Sequence, residues 1–522
     1  MKNYNSFFFK IEKLLLSLLL LFSILINQYY GNLGVSPLDS FSHFDTGYRV
    51  LHGQYPFKDF WVISGPILDY FQSFLFFIFG ISWQSYVLQS SIINAILTLA
   101  TYFVLKKFNL DLSLCFFFAL LFSILAYPSS GTPFVDHHSV FFMIVAFYTL
   151  IFFIKTKNFN YFIFIPPILL FSFLSKQTPA AYGIIIISFF ILLLSSIYKD
   201  KKKVILMNST IGSVMALVLL FLFFFVTDIN FYDFLQQYIF FGSSIGGDRL
   251  ANYKFSLINE IIKYKFISIF VFILLFVLIK LKIKNFLTKD DFLILSIFIC
   301  LSIFLIFHQM ITLNQNFIFF LIPLLCGIAH SFYNKTFETN YLLTILITIC
   351  LFSTFKYHVR FNEERKFNEL ENIDVSKSID AEIIDGKLKG LKWISHLNPN
   401  NPREEVNDII EILKYLKNDK NNKILITEYQ IISPILDVYD NSPNQWHHPS
   451  VSFPTKGDKY FENYKSYFIS KIKEKEVNYI FETRKDEKFI TGYILDADCF
   501  SNERIGNILV KLKLNLSCKD LK

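Results

Sequence analysis

The residues of this chain best suited to chemistry lie in short polar stretches between long apolar ones. The stretch SPLDSFSHFDTGYRVLHGQYPFKDFW, residues 36–61, holds the carboxylates Asp39, Asp45 and Asp59 beside His43, His52, Arg49 and Lys58. Further on come Asp136-His137-His138, Lys176-Gln177-Thr178, Arg249 after Gly246-Gly247-Asp248, and His308-Gln309. A carboxylate can take a proton from a hydroxyl while a nearby cation holds an anionic leaving group. Metal chemistry needs converging His, Cys or carboxylate donors. Adjacent histidines serve one ion poorly, and no cysteines stand at metal-type spacing. No cofactor is expected, a divalent metal being the less favoured alternative.

Ser36-Pro37-Leu38-Asp39 has helix-start chemistry: Ser36 as N-cap, Pro37 in the first helical position, Asp39 three after the cap. Asp39 has two compatible readings. It can be the acidic partner of a capping box, or a base kept ionised and oriented by the helix N-terminus. Gly53 ends this helix and Pro56 prevents its restart. Asp45 is the fallback base. Asp59 reads mainly as a structural carboxylate holding Lys58 or Arg49, with substrate contact as its lesser role.

The elements that must position these residues are membrane helices. The chain of 522 residues is 53% hydrophobic and only 18% charged, with a mean hydropathy of +0.43. Apolar runs of membrane length recur to about residue 356. The formal charge of +8 sits largely in short loops between them, where it orients a chain in a bilayer, and nucleic acid is excluded as its partner. Runs fall near 12–30, 67–82, 84–105, 113–127, 138–155, 159–175, 179–198, 203–227, 264–282, 291–307, 317–333 and 340–356. Lys106-Lys107, Lys155 to Lys157, residues 199–203, residues 280–284 and Lys335 share the cytoplasmic side with the N-terminus only if 67–82, which carries Asp69 and Gln72, does not cross. This predicts about eleven spans, an uncleaved N-terminal one, and a first outer loop, 31–83, with an embedded helix.

In that topology 128–138, 175–179, 236–250 and 308–316 emerge on the same outer face as 36–61. Lys176 then has two open readings, a lysine snorkelling to the interface or, with Gln177, a phosphate ligand. Arg249 either binds phosphate beside backbone N–H groups turned by Gly246-Gly247, or pairs with Asp248. Asp136 and His137 suit hydrogen bonding to a polar or anionic substrate, with a metal the lesser reading. His308 and Gln309 are further substrate contacts or an ordinary polar span end.

Residues 358–522 carry no membrane-length apolar run and read as a soluble α/β domain on the outer side, 1–357 being the membrane domain. Residues 407–418 have helical periodicity, and 423–429 and 477–483 read as buried strands. Trp446, beside His447 and His448, either packs the domain core or stacks on a ligand. Asp496-Ala497-Asp498 reads as a surface turn. Cys499 and Cys518 either pair or stay as thiols, while Cys115, Cys300, Cys326 and Cys350 read as small core residues.

The first loop resembles that of the GT-C superfamily, the polytopic glycosyltransferases that use polyprenyl-phosphate-linked sugars. These include protein O-mannosyltransferases, the lipid A aminoarabinose transferase and lipopolysaccharide core transferases. The resemblance is carried by Asp39, Leu51-His52-Gly53, Pro56-Phe57-Lys58-Asp59-Phe60 and Pro66-Ile67-Leu68. Asp39 lies fourteen residues before Gly53, the interval usual in that superfamily, whereas Asp45 lies only eight before it. Many relatives carry two acids at the first position, but here Ser40 follows Asp39. The resemblance implies sugar transfer from a polyprenyl-phosphate donor to a hydroxyl of a lipid, glycan or protein at the outer face of a bacterial inner membrane. It implies Asp39 as general base with inversion, and Lys176 with Gln177 at the donor phosphate, for which Arg249 is a further candidate from its own surroundings. The alternative is a transporter or flippase of lipid-linked sugars, for which internal repeats and mid-membrane ionisable residues would be expected.

Overall fold

A computed structural model of the chain describes residues 2–312, 318–336, 341–438, 442–483 and 489–521. Among the described residues, nine helices are long and apolar enough to cross a membrane: Lys10–Gly31, Trp83–Lys106, Leu112–Ser129, Val135–Thr156, Gln177–Ile197, Lys199–Thr227, Lys265–Ile283, Lys289–Thr312 and Tyr341–Asn368. Two of the eleven expected segments form shorter apolar helices, Tyr161–Phe173 and Ile318–Tyr333. The first has 13 residues, a rise of about 20 Å against a hydrocarbon core of about 30 Å. The segment read as embedded is the equally short Ile67–Phe79 helix, ended by Gly80 at φ +81°.

The chain divides into two compact units. One comprises residues 1–32, 87–223 and 249–367 and holds most of the apolar helices. One set of its helix ends is tied together by buried polar groups. Asn27 Nδ2 donates to Ser90 Oγ (2.8 Å) and to the Gly131 carbonyl (3.1 Å). Ser90 Oγ donates to the same carbonyl at 2.7 Å. The buried Arg365 guanidinium donates to the Pro128 and Ser130 carbonyls, each at 2.8 Å. Carbonyls that a non-helical loop would leave unpaired away from water are thereby satisfied.

The second unit comprises residues 33–86, 224–248 and 368–522. Its centre is a four-stranded sheet in the order Lys423–Ile426, Tyr479–Thr483, Leu509–Leu514, Phe500–Ile505. The first two strands are parallel, with Lys423 opposite Tyr479, and the other pairings are antiparallel. The Pro402–Asn418 helix has Pro402 in its first turn and buries Val406, Ile409, Ile412, Leu413 and Leu416, an apolar stripe at helical spacing. The Phe461–Glu474 helix buries Tyr464, Phe468 and Ile472 in the same way. Cys499 and Cys518, whose pairing the sequence leaves open, form a disulfide.

The compact units do not follow the linear division after residue 357. Trp61 and Phe241 lie in one buried cluster with Ile424, Ile480, Tyr464, Phe468 and Leu512. Backbone bonds join the first loop to the tail: Trp61 N–H to the Pro443 carbonyl (2.6 Å), Gln445 N–H to the Trp61 carbonyl (3.0 Å), and Val35 N–H to the Ile394 carbonyl (2.9 Å). Trp61 is 2% exposed. Trp61→Ala should destabilise this unit by about 3–5 kcal/mol, the range for deleting a large buried aromatic. Limited proteolysis of the detergent-solubilised protein checks this: the tail should be cut at a lower temperature than in the wild type.

Candidate functional site

Each unit holds its own cluster of ionisable residues. In the second unit, the Pro37–Leu51 helix begins where the sequence predicts, with Ser36 as N-cap and Pro37 at the first position. The capping chemistry differs from the expected box. The Ser36 side chain makes no cap bond, and the Ser36 N–H donates to Ser40 Oγ at 3.1 Å. Ser40 Oγ thus supplies an acceptor for the Ser36 N–H, the reciprocal bond of a capping box. Asp39 lies half-buried in the first turn.

Helical rotation of about 100° per residue puts Asp39, His43 and Thr46 on one stripe and Asp45 about 120° away from Asp39. Asp45 faces Arg49, with Oδ2 4.0 Å from Nη1 and both side chains buried. Arg49 also donates to Gln54 Oε1 (2.8 Å) and the Ser442 carbonyl (2.9 Å), and lies 4.0 Å over the Phe60 ring. Asp45 is thus part of a structural cation site.

Asp59 holds neither Lys58 nor Arg49 as its hydrogen-bond partner. Its Oδ2 accepts the Tyr55 N–H at 2.7 Å and closes the turn in which Phe57 sits at φ +70°. Lys58 donates instead to Asp228 Oδ2 at 2.9 Å, and this bond raises the pKa of its ammonium. Gln237 fastens the same turn, accepting the Val62 N–H (3.0 Å) and donating to the Phe57 carbonyl (2.9 Å).

Sequence reasoning missed the pairing of His43 with Asp69. Nδ1 and Oδ1 are 2.8 Å apart, both side chains are buried, and Thr46 Oγ1 donates to the same carboxylate oxygen. Gln445, from the tail, lies 3.3 Å from His43 Nδ1 and accepts from Ser64 Oγ at 2.8 Å. The available signal was an acid inside an otherwise apolar helix, a placement that calls for a partner or a function.

The first unit brings together three predicted residues that lie far apart in sequence. Asp136 Oδ2 accepts from Lys176 Nζ at 2.6 Å, and Asp136 Oδ1 lies 3.2 Å from His308 Nε2. Asp136 and His308 are buried, while the Lys176 side chain is 24% exposed. Asp136 is second in its helix, Lys176 is the N-cap of the helix that Gln177 begins, and His308 lies four residues from the end of its own. Ser139 Oγ donates to the Lys176 carbonyl at 3.0 Å. Gln309 is buried next to His308, and residues 313–316 of that polar stretch lie outside the described residues.

His137 is buried among rings, stacked on Tyr127 at 5.0 Å with Phe134 and Phe141 edge-on, and its Nε2 is 3.2 Å from Ser129 Oγ. Arg249 is exposed in the last turn of the Gly242–Asn252 helix. Gly246 and Gly247 lie inside that helix, so their N–H groups run along its axis and do not form the turned anion-binding loop that the Gly-Gly pair suggests. The Asp248 side chain lies outside the described residues. Among the described residues, no group of three or more His, Cys, Asp or Glu side chains is placed to hold a metal.

A buried carboxylate that loses its cation is an uncompensated charge. Lys176→Met should lower stability by about 3–5 kcal/mol, and the double variant Lys176→Met with Asp136→Leu should regain most of that loss. Thermal melting in detergent measures both. A double variant no more stable than Lys176→Met would contradict the pairing.

No protein-family model and no curated protein matches the chain.

Proposed function

We propose that this protein is a membrane glycosyltransferase. It moves a sugar from a polyprenyl-phosphate donor to an acceptor hydroxyl on the outer face of a bacterial inner membrane, with inversion. The observation that carries the reading is the meeting of Asp136, Lys176 and His308 at the ends of three candidate spans. A transporter of lipid-linked sugars would be expected to place such residues in mid-membrane. An enzyme acting on a lipid headgroup needs them at the membrane boundary, where the phosphate lies. The resemblance of residues 36–71 to the GT-C loop supports the same class.

In this mechanism Asp39 takes the proton of the acceptor hydroxyl as the hydroxyl oxygen attacks the anomeric carbon. The bond from that carbon to phosphate oxygen breaks, and polyprenyl phosphate leaves with the electron pair. Lys176, partly exposed beside Asp136, provides positive charge for that phosphate, with Gln177 and Arg249 as further donors. Asp136, His308 and Gln309 hold the lysine or contact the substrate. Asp59 shapes the loop.

The test is transfer of labelled sugar from polyprenyl phosphate in membranes containing the protein. Release of polyprenyl phosphate together with a labelled acceptor is expected. Movement of intact labelled lipid across the bilayer without bond cleavage would overturn the enzyme reading in favour of a flippase. Orientation is checked with single cysteines at Asp228 and Asp200, both exposed positions. An impermeant thiol reagent applied from outside should modify the first and not the second. The reverse pattern would invert the topology and remove the outer-face assignment.

A further inference from the structure

The pairing of His43 with Asp69 is buried chemistry that this mechanism does not use. His43 is 1% and Asp69 0% exposed. Asp69 Oδ1 accepts from both His43 Nδ1 and Thr46 Oγ1. The carboxylate oxygen accepts both bonds, so Nδ1 is the protonated ring nitrogen, and in that tautomer the lone pair lies on Nε2. Gln445 does not change this. Its amide is oriented by Ser64, and its N–H cannot donate to a nitrogen that is already protonated.

Three polar atoms around this pair are buried with no hydrogen-bond partner among the described residues. They are His43 Nε2, Asp69 Oδ2 and Trp446 Nε1. The Trp446 ring meets the His43 ring edge-on, with centroids 6.5 Å apart. Each such atom is unfavourable when buried alone, so two acceptors and a donor in one neighbourhood point to a ligand that completes them. Phosphate does not fit, since its oxygens only accept and Asp69 repels its charge. A hydroxyl fits, because it both donates and accepts, and an indole beside polar groups is suited to the face of a sugar ring. The site is built from both ends of the unit's sequence: the Pro37–Leu51 and Ile67–Phe79 helices supply His43 and Asp69, and residues 443–445, bonded to Trp61, supply the support for Trp446.

We propose that His43, held by Asp69, accepts a hydrogen bond from a sugar hydroxyl, with Trp446 beside it, making this a recognition site for a neutral polyhydroxylated ligand. The identity of that ligand rests on the glycosyl-transfer reading. The hydroxyl can belong to the donor sugar or to a glycan acceptor. His43 stands one helical turn from Asp39 on the same stripe of the helix.

The experiment measures binding of three probes to the full-length protein in nanodiscs: a polyprenyl-phosphate hexose, bare polyprenyl phosphate and a methyl hexoside. His43→Leu should weaken a hexose-bearing probe about tenfold, the equivalent of about 1.4 kcal/mol, while bare polyprenyl phosphate binds unchanged. His43→Gln, which keeps an acceptor, should restore part of the loss. Weakening of the hexose lipid alone assigns the site to the donor sugar, and weakening of the methyl hexoside alone assigns it to a glycan acceptor. Where His43→Leu yields no folded protein, Trp446→Phe removes the N–H and keeps an aromatic, though smaller, ring, and should weaken the same probe about fivefold. Unchanged binding of all probes by folded variants overturns the proposal, and so does equal loss for both lipids, which marks a structural role. Wild-type protein that binds neither lipid, yet binds methyl hexoside in a His43-dependent way, would sink the donor reading and leave this site standing. Wild-type protein that binds none of the three overturns both.

Discussion

Replacing Asp39 by Asn should lower sugar transfer about 10²–10⁴-fold, the usual contribution of a positioned general base, with little change in the donor concentration needed for half-maximal rate. The substitution keeps the size of the side chain and removes its basicity. The capping role that could otherwise explain a loss is held by Ser40, whose Oγ accepts the Ser36 N–H, so the helix start should survive. Asp45→Asn is the informative comparison. Asp45 lies on another stripe of the helix and stands with Arg49, so its loss should lower thermal stability and leave the dependence of rate on pH unchanged. The measurement is initial rate against pH for the two variants at matched protein levels. Transfer by Asp39→Asn within about threefold of wild type, well short of a general base's contribution, would remove Asp39 from the mechanism. Loss of the acidic limb in Asp45→Asn instead would move the base to the fallback residue.

Gly131→Val should largely prevent recovery of folded protein. Gly131 has φ +77°, a conformation that costs a residue with a side chain about 1–2 kcal/mol. A Cβ there would stand 2.6 Å from Gly31 Cα and 2.8 Å from Gly31 N, both backbone atoms that cannot move aside. The Gly131 carbonyl is also the shared acceptor of Asn27 and Ser90, so a shift of the loop would leave buried donors unpaired as well. These losses together should exceed about 4 kcal/mol, the range reserved for named structural faults. Gly246→Ala is the control. A Cβ there meets open space inside a helix, and alanine should be neutral or stabilising by about 0.5–1 kcal/mol. Size-exclusion profiles and melting temperatures in detergent separate the two. A monodisperse Gly131→Val protein that melts like the wild type would show that the close approach of Gly31 and Gly131 is not needed.

Local chemistry was legible where a residue type acts on its own neighbours. Pro37 and Gly53 bound the first loop helix, and runs at 423–429 and 477–483 contain the two parallel strands. The Phe500–Ile505 and Leu509–Leu514 hairpin went unread although its second strand alternates Leu, Val, Lys, Leu, Lys, Leu. Long-range pairings left no local trace. Asp136 meets His308 from 172 residues away, and His43 meets Gln445 from 402 away. Short helices at 161–173 and 318–333 show a related limit, since hydropathy reports apolar composition while length depends on where the backbone stops being helical.

The backbone bonds between Trp61 and residues 443–445, with Arg49 reaching the Ser442 carbonyl, have a consequence for how this protein can change. The first loop does not carry its own fold. Grafting residues 33–86 into another protein, or cutting the chain after residue 367, would strip that loop of its hydrogen-bond partners and of the sheet core that receives Trp61. Any property of the loop is therefore heritable only together with the tail. A library that diversifies one while holding the other constant should return mostly misfolded members.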